Sequence, residues 1–175
     1  YAVSGYTAND ILEDLSNNKK VEIDGREVNL RNVLRESDLV TISVGANDFI
    51  KGINLNNLNF NNVDLYEKKI DSIVSKIDQV LFEVCKYAKG DVIVIGYYNP
   101  FPFLYSSYEN EVNTIFSYID EKYNFLANNY NVNYLSVYEL FKENSSFLPN
   151  PFDIHPNADG YLAIANLLIE EFLEK

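Results

Sequence analysis

Two short runs of apolar residues stand out along the chain, at 39–44 (LVTISV) and 92–95 (VIVI). Both are continuous rather than alternating and rich in β-branched residues, which is typical of strands buried on both faces. A third, shorter strand is predicted at 132–137. Residues 1–3 (YAV) look like the end of a fourth strand, so the pattern predicts a sheet of buried strands.

Between these runs, apolar residues recur every three or four positions, which is the spacing of an amphipathic helix. Thr7 and Asp10 form a capping sequence that predicts a short helix through Leu15. Asn157 is a candidate N-cap for the last helix. The longer predicted helices cover 66–88, 112–126 and 158–173.

The alternation of strand and helix is typical of a parallel sheet covered by helices on both faces. We therefore predict an α/β fold of three layers with a flavodoxin-like parallel sheet, in a single domain over 1–175. Three full strands are few for such a sheet, so we expect the first strand to precede the sequence. The absence of methionine, even at position 1, supports this expectation.

The net charge of −12, from 14 basic and 26 acidic residues, argues against several partners. Nucleic acids and anionic lipid surfaces attract basic proteins, so neither is expected to bind. No apolar run reaches the roughly 18 residues of a membrane span, and no stable membrane insertion is predicted. Cys85 lies in an apolar helical pattern, which favours a small buried side chain over a reactive thiol.

Three polar clusters could carry chemistry: Ser4-Gly5, the segment 45–48 (GAND) and the segment 153–157 (DIHPN). The first two follow predicted strands, and the third leads into the last helix. Ligands of open parallel sheets bind beyond the carboxyl ends of the strands. We therefore expect all three clusters to converge on one edge of the sheet.

His155 is the only histidine of the chain, with Asp153 two residues before it and Pro156 directly after it. An imidazole held by a carboxylate is the general base of acyl transfer. The alternative is a turn that leads into a helix, and the residues alone leave both open. One histidine and one cysteine do not supply a protein-built zinc site, so no metal is expected.

Asn47 is a candidate oxyanion donor, and Gly5 is a candidate substrate contact. A carboxamide at the strand end, behind Gly45, could donate a hydrogen bond to a developing oxyanion. Gly5 could bring a bare backbone N–H close to a substrate. The alternatives are an Asx turn at Asn47-Asp48 and an ordinary turn at Gly5, and Asp48 is assigned no chemistry.

Taken in order, these clusters resemble the sequence blocks of the SGNH (GDSL) hydrolase family. AVSGYT is similar to the second block, whose glycine supplies an oxyanion N–H, here Gly5. ISVGANDF is similar to the third block, G-x-N-D, whose asparagine supplies a side-chain donor, here Asn47. DIHPN, continued by Gly160, is similar to the fifth block around the catalytic histidine, here His155.

Two departures from the family's pattern stand out. The first block, with the nucleophilic serine, is absent: no Gly-Asp-Ser occurs, Ser4 belongs to the second block, and the serine is expected before Tyr1. The family more usually places its acid three residues before the histidine, where this chain has Phe152. Here the acid is Asp153, two residues before, or a Ser–His dyad operates with backbone help.

The resemblance implies a serine esterase or acylhydrolase, of GDSL-type lipase or lysophospholipase kind, that uses no cofactor. The chain as given would lack the nucleophile and be inactive. A small-molecule ester is the expected substrate: an acyl lipid, a short ester or an acetylated sugar. The segment 101–105 (FPFLY) either walls an acyl pocket or packs a loop onto the sheet.

Two other classes stay open. The first is a non-catalytic binding module that kept the fold and lost the serine. The second is a flavodoxin-like phosphate or nucleotide binder, although no Gly-rich anion loop follows any predicted strand. An acidic, cysteine-poor hydrolase is compatible with an extracellular or cell-envelope location, and a monomer is the default expectation.

Overall fold

The computed structural model describes residues 1–51, 60, 62–101, 105–151 and 153–173. Strands and helices alternate over most of this range. In chain order the elements are α1 (Ala8–Ser16), β1 (Lys20–Ile23), β2 (Arg26–Asn29), α2 (Leu30–Glu36), β3 (Leu39–Ile42), α3 (Ala46–Lys51), α4 (Val63–Tyr87), β4 (Asp91–Ile95), α5 (Tyr105–Asn129), β5 (Asn133–Leu135), α6 (Tyr138–Glu143) and α7 (Ala158–Leu168). A 3₁₀ turn at Ser145–Phe147 precedes α7, and a π turn at Ile169–Leu173 follows it.

Strands β3, β4 and β5 form a parallel sheet in that order, with β4 in the middle. Thr41 pairs with Ile93, and Ile93 pairs with Asn133 on its other side. The strands predicted at 39–44, 92–95 and 132–137 and their parallel arrangement are therefore confirmed. Because the strands run in parallel, the residues after β3 and after β4 leave the sheet at the same edge.

Helices cover both faces of the sheet, which confirms the predicted three-layer α/β fold. Side chains alternate along β4: Val92 and Val94 join the larger core, and Ile93 joins the smaller one. The larger core contains the buried faces of α1, α2, α4 and α5. The smaller core contains Phe141 of α6 and partly buried residues of α7. The long helices α4 and α5 match the apolar spacing from which they were predicted.

The hairpin of β1 and β2 was not predicted. Its two-residue turn is Asp24-Gly25, and both residues have positive φ, of 50° and 74°. An Asp-Gly pair between alternating residues is a strong hairpin signal. Both strands mix charged and apolar residues, so they contain no continuous apolar run.

The strand expected at residues 1–3 is not present. Tyr1, Ala2 and Val3 are exposed and pair with no strand. The Tyr1 hydroxyl instead donates to the Asp14 carboxylate, which Lys19 also binds at 2.9 Å. A side-chain contact with α1, and not a backbone ladder with β3, therefore anchors this segment.

The Asn-rich segment at 52–65 is partly a helix. Residues 52–59 and 61 lie outside the described residues, but α4 already begins at Val63, with Asn62 as its N-cap. The Asn62 side chain accepts a hydrogen bond from the Leu65 N–H at 3.2 Å. Its asparagine content predicts a loop over 52–65, and this prediction is wrong for residues 63–65, because an asparagine stabilises a helix at the N-cap position.

Candidate functional site

The chain leaves β3 through a corner at Gly45 that only glycine fits. Gly45 has a φ of +116°, and a Cβ there would lie 2.2 Å from the Tyr123 hydroxyl and 2.9 Å from Ile77 Cδ1. The Tyr123 hydroxyl occupies this space and donates to the Val44 carbonyl at 2.7 Å. The corner is therefore fixed by a buried residue of α5, and it directs the chain straight into α3.

Asn47 lies in the first turn of α3, and its carboxamide is held from one side. Its Nδ2 donates to the Tyr6 carbonyl at 2.9 Å. A carboxamide nitrogen carries two N–H groups, so this bond fixes the plane of the amide and leaves a second donor. Tyr6 directly follows Gly5, so the two candidate oxyanion donors lie in segments that touch each other.

Asp48 was assigned no chemistry, and the structure gives it a positioning role. Its Oδ2 accepts the Ala8 N–H at the start of α1 at 2.8 Å, and its side chain is only 3% exposed. Lys76 of α4 lies 3.6 Å from its other oxygen. Asp48 therefore attaches α1, and with it the Gly5 segment, to the helix that carries Asn47.

Gly5 has a φ of +80°, and no atom lies within 4 Å of the place where a Cβ would stand. The left-handed backbone explains the glycine, because other residues are strained there. Lys51, the last residue of α3, donates from Nζ to the Gly5 carbonyl at 3.1 Å. The turn is thus bound to α3 by Lys51 as well as by Asn47.

His155 and Asp153 form the pair that the sequence predicted. Asp153 Oδ1 lies 2.7 Å from His155 Nδ1 and also accepts the His155 backbone N–H at 3.0 Å. These two bonds, the backbone one first, lower the pKa of the Asp153 carboxyl. A carboxylate at Nδ1 favours the tautomer with the proton there, which leaves Nε2 free to accept a proton.

The loop that carries His155 is fastened on both sides although its side chains are exposed. The Tyr98 hydroxyl, from the segment after β4, donates to the Ile154 carbonyl at 2.9 Å. Asn157 caps α7 by accepting the Gly160 N–H at 2.9 Å, which confirms the predicted cap, and donates to the Ser146 carbonyl at 3.0 Å. The role of Tyr98 was not predicted, because the sequence next to a tyrosine at a strand end does not indicate which residue it binds.

The two halves of the candidate site meet at the end of β4. Tyr97 packs against Tyr123 and lies beside Ala46, the residue before Asn47, while the Tyr98 hydroxyl binds the loop of His155. Gly5 and Asn47 are thus brought together directly, and Asn47 and His155 are tied to neighbouring residues of one strand end. That all four candidate residues act in one reaction stays a prediction.

A small apolar cavity of about 50 Å³ lies beside the Gly45 corner. Gly45 and Ala46 line it on one side, and Tyr97, Tyr98 and Pro100 line it on another. Of the predicted acyl-pocket segment, Phe101 is buried, residues 102–104 lie outside the described residues, and the question of a wall or a packed loop stays open.

No helix within the described ranges is both long and apolar enough to cross a bilayer.

Comparison with known proteins identifies the family. Residues 1–163, nearly the whole chain, match the family described as "GDSL-like Lipase/Acylhydrolase family". The chain therefore belongs to the GDSL-like lipase/acylhydrolase family, and the resemblance drawn from the three sequence blocks is confirmed.

A relative in sequence is YpmR of Bacillus subtilis (strain 168), a protein described as uncharacterised. It is 30% identical over 176 residues, which cover 94% of this chain. The chain spans 62% of the length of YpmR.

Solved structures with the same fold include two named enzymes. Axe2, an acetylxylan esterase from Geobacillus stearothermophilus, is 16% identical with a TM-score of 0.66, over 98% of this chain and 70% of its own. An extracellular lipase from Streptomyces rimosus is 20% identical with a TM-score of 0.65, and the match covers 94% of this chain and 77% of the lipase. At this identity the likeness concerns the fold.

Replacing Gly45 by alanine tests the corner. Backbone strain alone costs about 1–3 kcal/mol. We expect Gly45→Ala to lower the free energy of unfolding by more than this, because the new methyl group also collides with the Tyr123 hydroxyl. Gly25→Ala is the matched control, with a φ of +74° and open space. Urea unfolding gives both free energies, and an equal cost at the two glycines would contradict the account.

Replacing Asp153 by alanine tests the carboxylate–imidazole pair. Because the chain has one histidine, ¹⁵N NMR gives a single set of imidazole signals. We expect the neutral ring to carry its proton on Nδ1 in the wild type and to be a mixture of the Nδ1–H and Nε2–H tautomers in Asp153→Ala. Because the pKa of Asp153 is lowered, its carboxylate is fully ionised at any pH above the ordinary carboxyl pKa. The hydrogen bond to His155 is then lost only as the pH falls through the lowered pKa.

Asp159→Ala, which removes an exposed carboxylate from the first turn of α7, is the control for the change in charge. An imidazole with the same tautomer in Asp153→Ala and in the wild type would show that Asp153 does not orient His155.

Proposed function

We propose that this chain is the base- and oxyanion-bearing part of a serine esterase that cleaves carboxylic esters. The observation that carries the proposal is the Asp153–His155 pair, with the carboxylate 2.7 Å from Nδ1. An exposed histidine without a partner could serve a turn equally well. A histidine whose Nδ1 is bound by a carboxylate and whose Nε2 is free is arranged as a general base.

In the proposed reaction, a serine contributed by the protein before Tyr1 attacks the ester carbonyl while His155 Nε2 takes its proton. The tetrahedral oxyanion accepts hydrogen bonds from the Gly5 N–H and from the second N–H of Asn47 Nδ2. One such donor typically lowers the barrier by about 2.7–4 kcal/mol. The intermediate collapses to an acyl-enzyme as His155 protonates the leaving alcohol, and a water deprotonated by His155 then releases the acid.

The edge of β3 opposite β4 supports the proposed position of the serine. Within the described residues β3 pairs with β4 alone, and its other edge borders a groove of about 480 Å³. Tyr1, Ala2 and Val3 line the same groove, so the chain before Tyr1 would emerge there. A parallel strand beside β3 would end next to the Gly45 corner, and a serine at its carboxyl end would face Asn47.

For the acyl group of the substrate, the cavity beside Gly45 favours a short chain. One water needs about 10–15 Å³ of such space, so about 50 Å³ holds only a few heavy atoms. Axe2 acts on acetylated xylan, and the rimosus protein is a lipase, so the fold by itself allows both lengths. We propose acetyl and similarly short esters, which include acetylated sugars, as the substrate class.

Labelling with a fluorophosphonate tests the reaction on the full-length protein. We expect covalent labelling of a serine that precedes Tyr1, and His155→Ala should slow it at least about a hundredfold because the base is lost. Asp159→Ala should label at the wild-type rate. Equal rates in His155→Ala and wild type would refute the role of His155, and an unlabelled protein that still binds esters would be a binding module.

A series of p-nitrophenyl esters tests the substrate class. We expect kcat/KM to fall by about tenfold or more from acetate to octanoate, since the longer chain exceeds the cavity. Ile73 lines the cavity, so Ile73→Ala should enlarge it and shift the preference toward longer acyl chains. Ile115 is buried elsewhere in the core, and Ile115→Ala should leave the preference unchanged. A wild-type preference for octanoate would reject the short-chain proposal.

A further inference from the structure

Two consecutive tyrosines follow β4 and point to opposite faces of the sheet. The Tyr97 ring lies edge-on against the Tyr123 ring, with centroids 5.7 Å apart, in the larger core. The Tyr98 ring stacks on Phe141 at 4.2 Å in the smaller core. The strand direction continues to this point, because the Gly96 N–H still donates to the Leu135 carbonyl of β5 at 2.8 Å. Both rings therefore stand on a backbone that the sheet holds.

Tyr97 lies against the corner that precedes Asn47. Its ring packs edge-on against Tyr123 and lines one cavity with Gly45 and Ala46, and its hydroxyl is directed toward the Ser43 side chain and the Ala46 N–H. Burial raises the pKa of Tyr97, so the hydroxyl stays neutral. With the Tyr123 hydroxyl bound to the Val44 carbonyl, two tyrosines pack against the backbone from which the Asn47 side chain projects.

Tyr98 binds the loop that carries the base. Its hydroxyl donates at 2.9 Å to the carbonyl of Ile154, the residue between Asp153 and His155. Burial raises the pKa of Tyr98, with smaller contributions from neighbours that include Tyr161 and Asp153, so the group stays a donor. The His155 side chain is 66% exposed and has little packing of its own, which makes this backbone contact a main restraint on its position.

We propose that Tyr97 and Tyr98 are positioning residues that together set the separation between the oxyanion donor Asn47 and the general base His155. The inference rests on the proposed esterase function. Neither hydroxyl contacts the reacting atoms. Each fixes one half of the site to the same strand end, and neighbouring residues of a strand are separated by only about 3.3 Å. Rotation or slippage of either half would misplace a catalytic group, and small misplacements are costly in rate.

A purely structural role makes a different prediction. Tyr130 provides the comparison: its hydroxyl also donates to a main-chain carbonyl, that of Asp78 at 3.1 Å, and to the Asp78 carboxylate. Tyr130 follows α5 and precedes β5, so it lies at the opposite edge of the sheet. Loss of its hydroxyl removes a comparable hydrogen bond and leaves the strand end after β4 untouched.

The kinetic test uses the full-length protein with Tyr97→Phe, Tyr98→Phe, the double variant and Tyr130→Phe as control. We expect kcat to fall about tenfold in each single variant while KM changes less than about twofold, because the groups placed act in the transition state. The fold-loss of kcat in the double variant should be smaller than the product of the two single losses. The reason is that losing either hydroxyl already leaves the distance between Asn47 and His155 unfixed. Tyr130→Phe should keep the wild-type kcat.

The second readout is NMR and does not depend on activity. Tyr98→Phe should shift or broaden the His155 imidazole signals, Tyr97→Phe should do so for the Asn47 carboxamide, and Tyr130→Phe should change neither. Unchanged signals in the first two variants, or a kcat equal to that of Tyr130→Phe, would overturn the inference. If His155→Ala keeps full activity, the esterase proposal fails by itself, and the NMR signals still decide whether the tyrosines hold the two groups.

Discussion

The contact between Gly45 and the Tyr123 hydroxyl is the constraint on which the rest of the candidate site depends. A hydroxyl stands where any other residue would place its Cβ, so only glycine is compatible with this turn. The turn starts α3 directly after β3, which brings Asn47 to the Tyr6 carbonyl and Asp48 to the start of α1. One buried contact thus determines the location of both candidate oxyanion donors.

The two halves of the site are built differently. The candidate oxyanion half rests on buried groups: Tyr123 lies in the core beneath it, and the Asp48 side chain is only 3% exposed. The base half is an exposed loop in which a carboxylate and an imidazole, 51% and 66% exposed, hold each other. The division suits the proposed hydrolysis, because preorganised donors stabilise a developing oxyanion while a general base exchanges protons with solvent and substrate.

Much of the fold and the contact between Asp153 and His155 could be predicted from the sequence, because they follow from local patterns. Continuous β-branched runs reveal buried strands, and the Asp153–His155 pair is encoded within three residues. The contacts of Tyr98 with Ile154, 56 residues away, and of Tyr123 with Val44, 79 residues away, could not be predicted. The strand prediction for residues 1–3 was wrong for a related reason: an apolar triplet forms a strand only where another strand pairs with it.

The central claim is that Asn47 and His155 face one cleft from either side of the reacting carbon. A crystal structure of the full-length protein with a phosphonate bound to its serine tests this most directly. The account predicts that the phosphoryl oxygen accepts hydrogen bonds from Asn47 Nδ2 and the Gly5 N–H, with His155 Nε2 within hydrogen-bond distance of the serine oxygen. A phosphonate whose oxygen contacts neither donor, or that lies beyond the reach of His155, would contradict it.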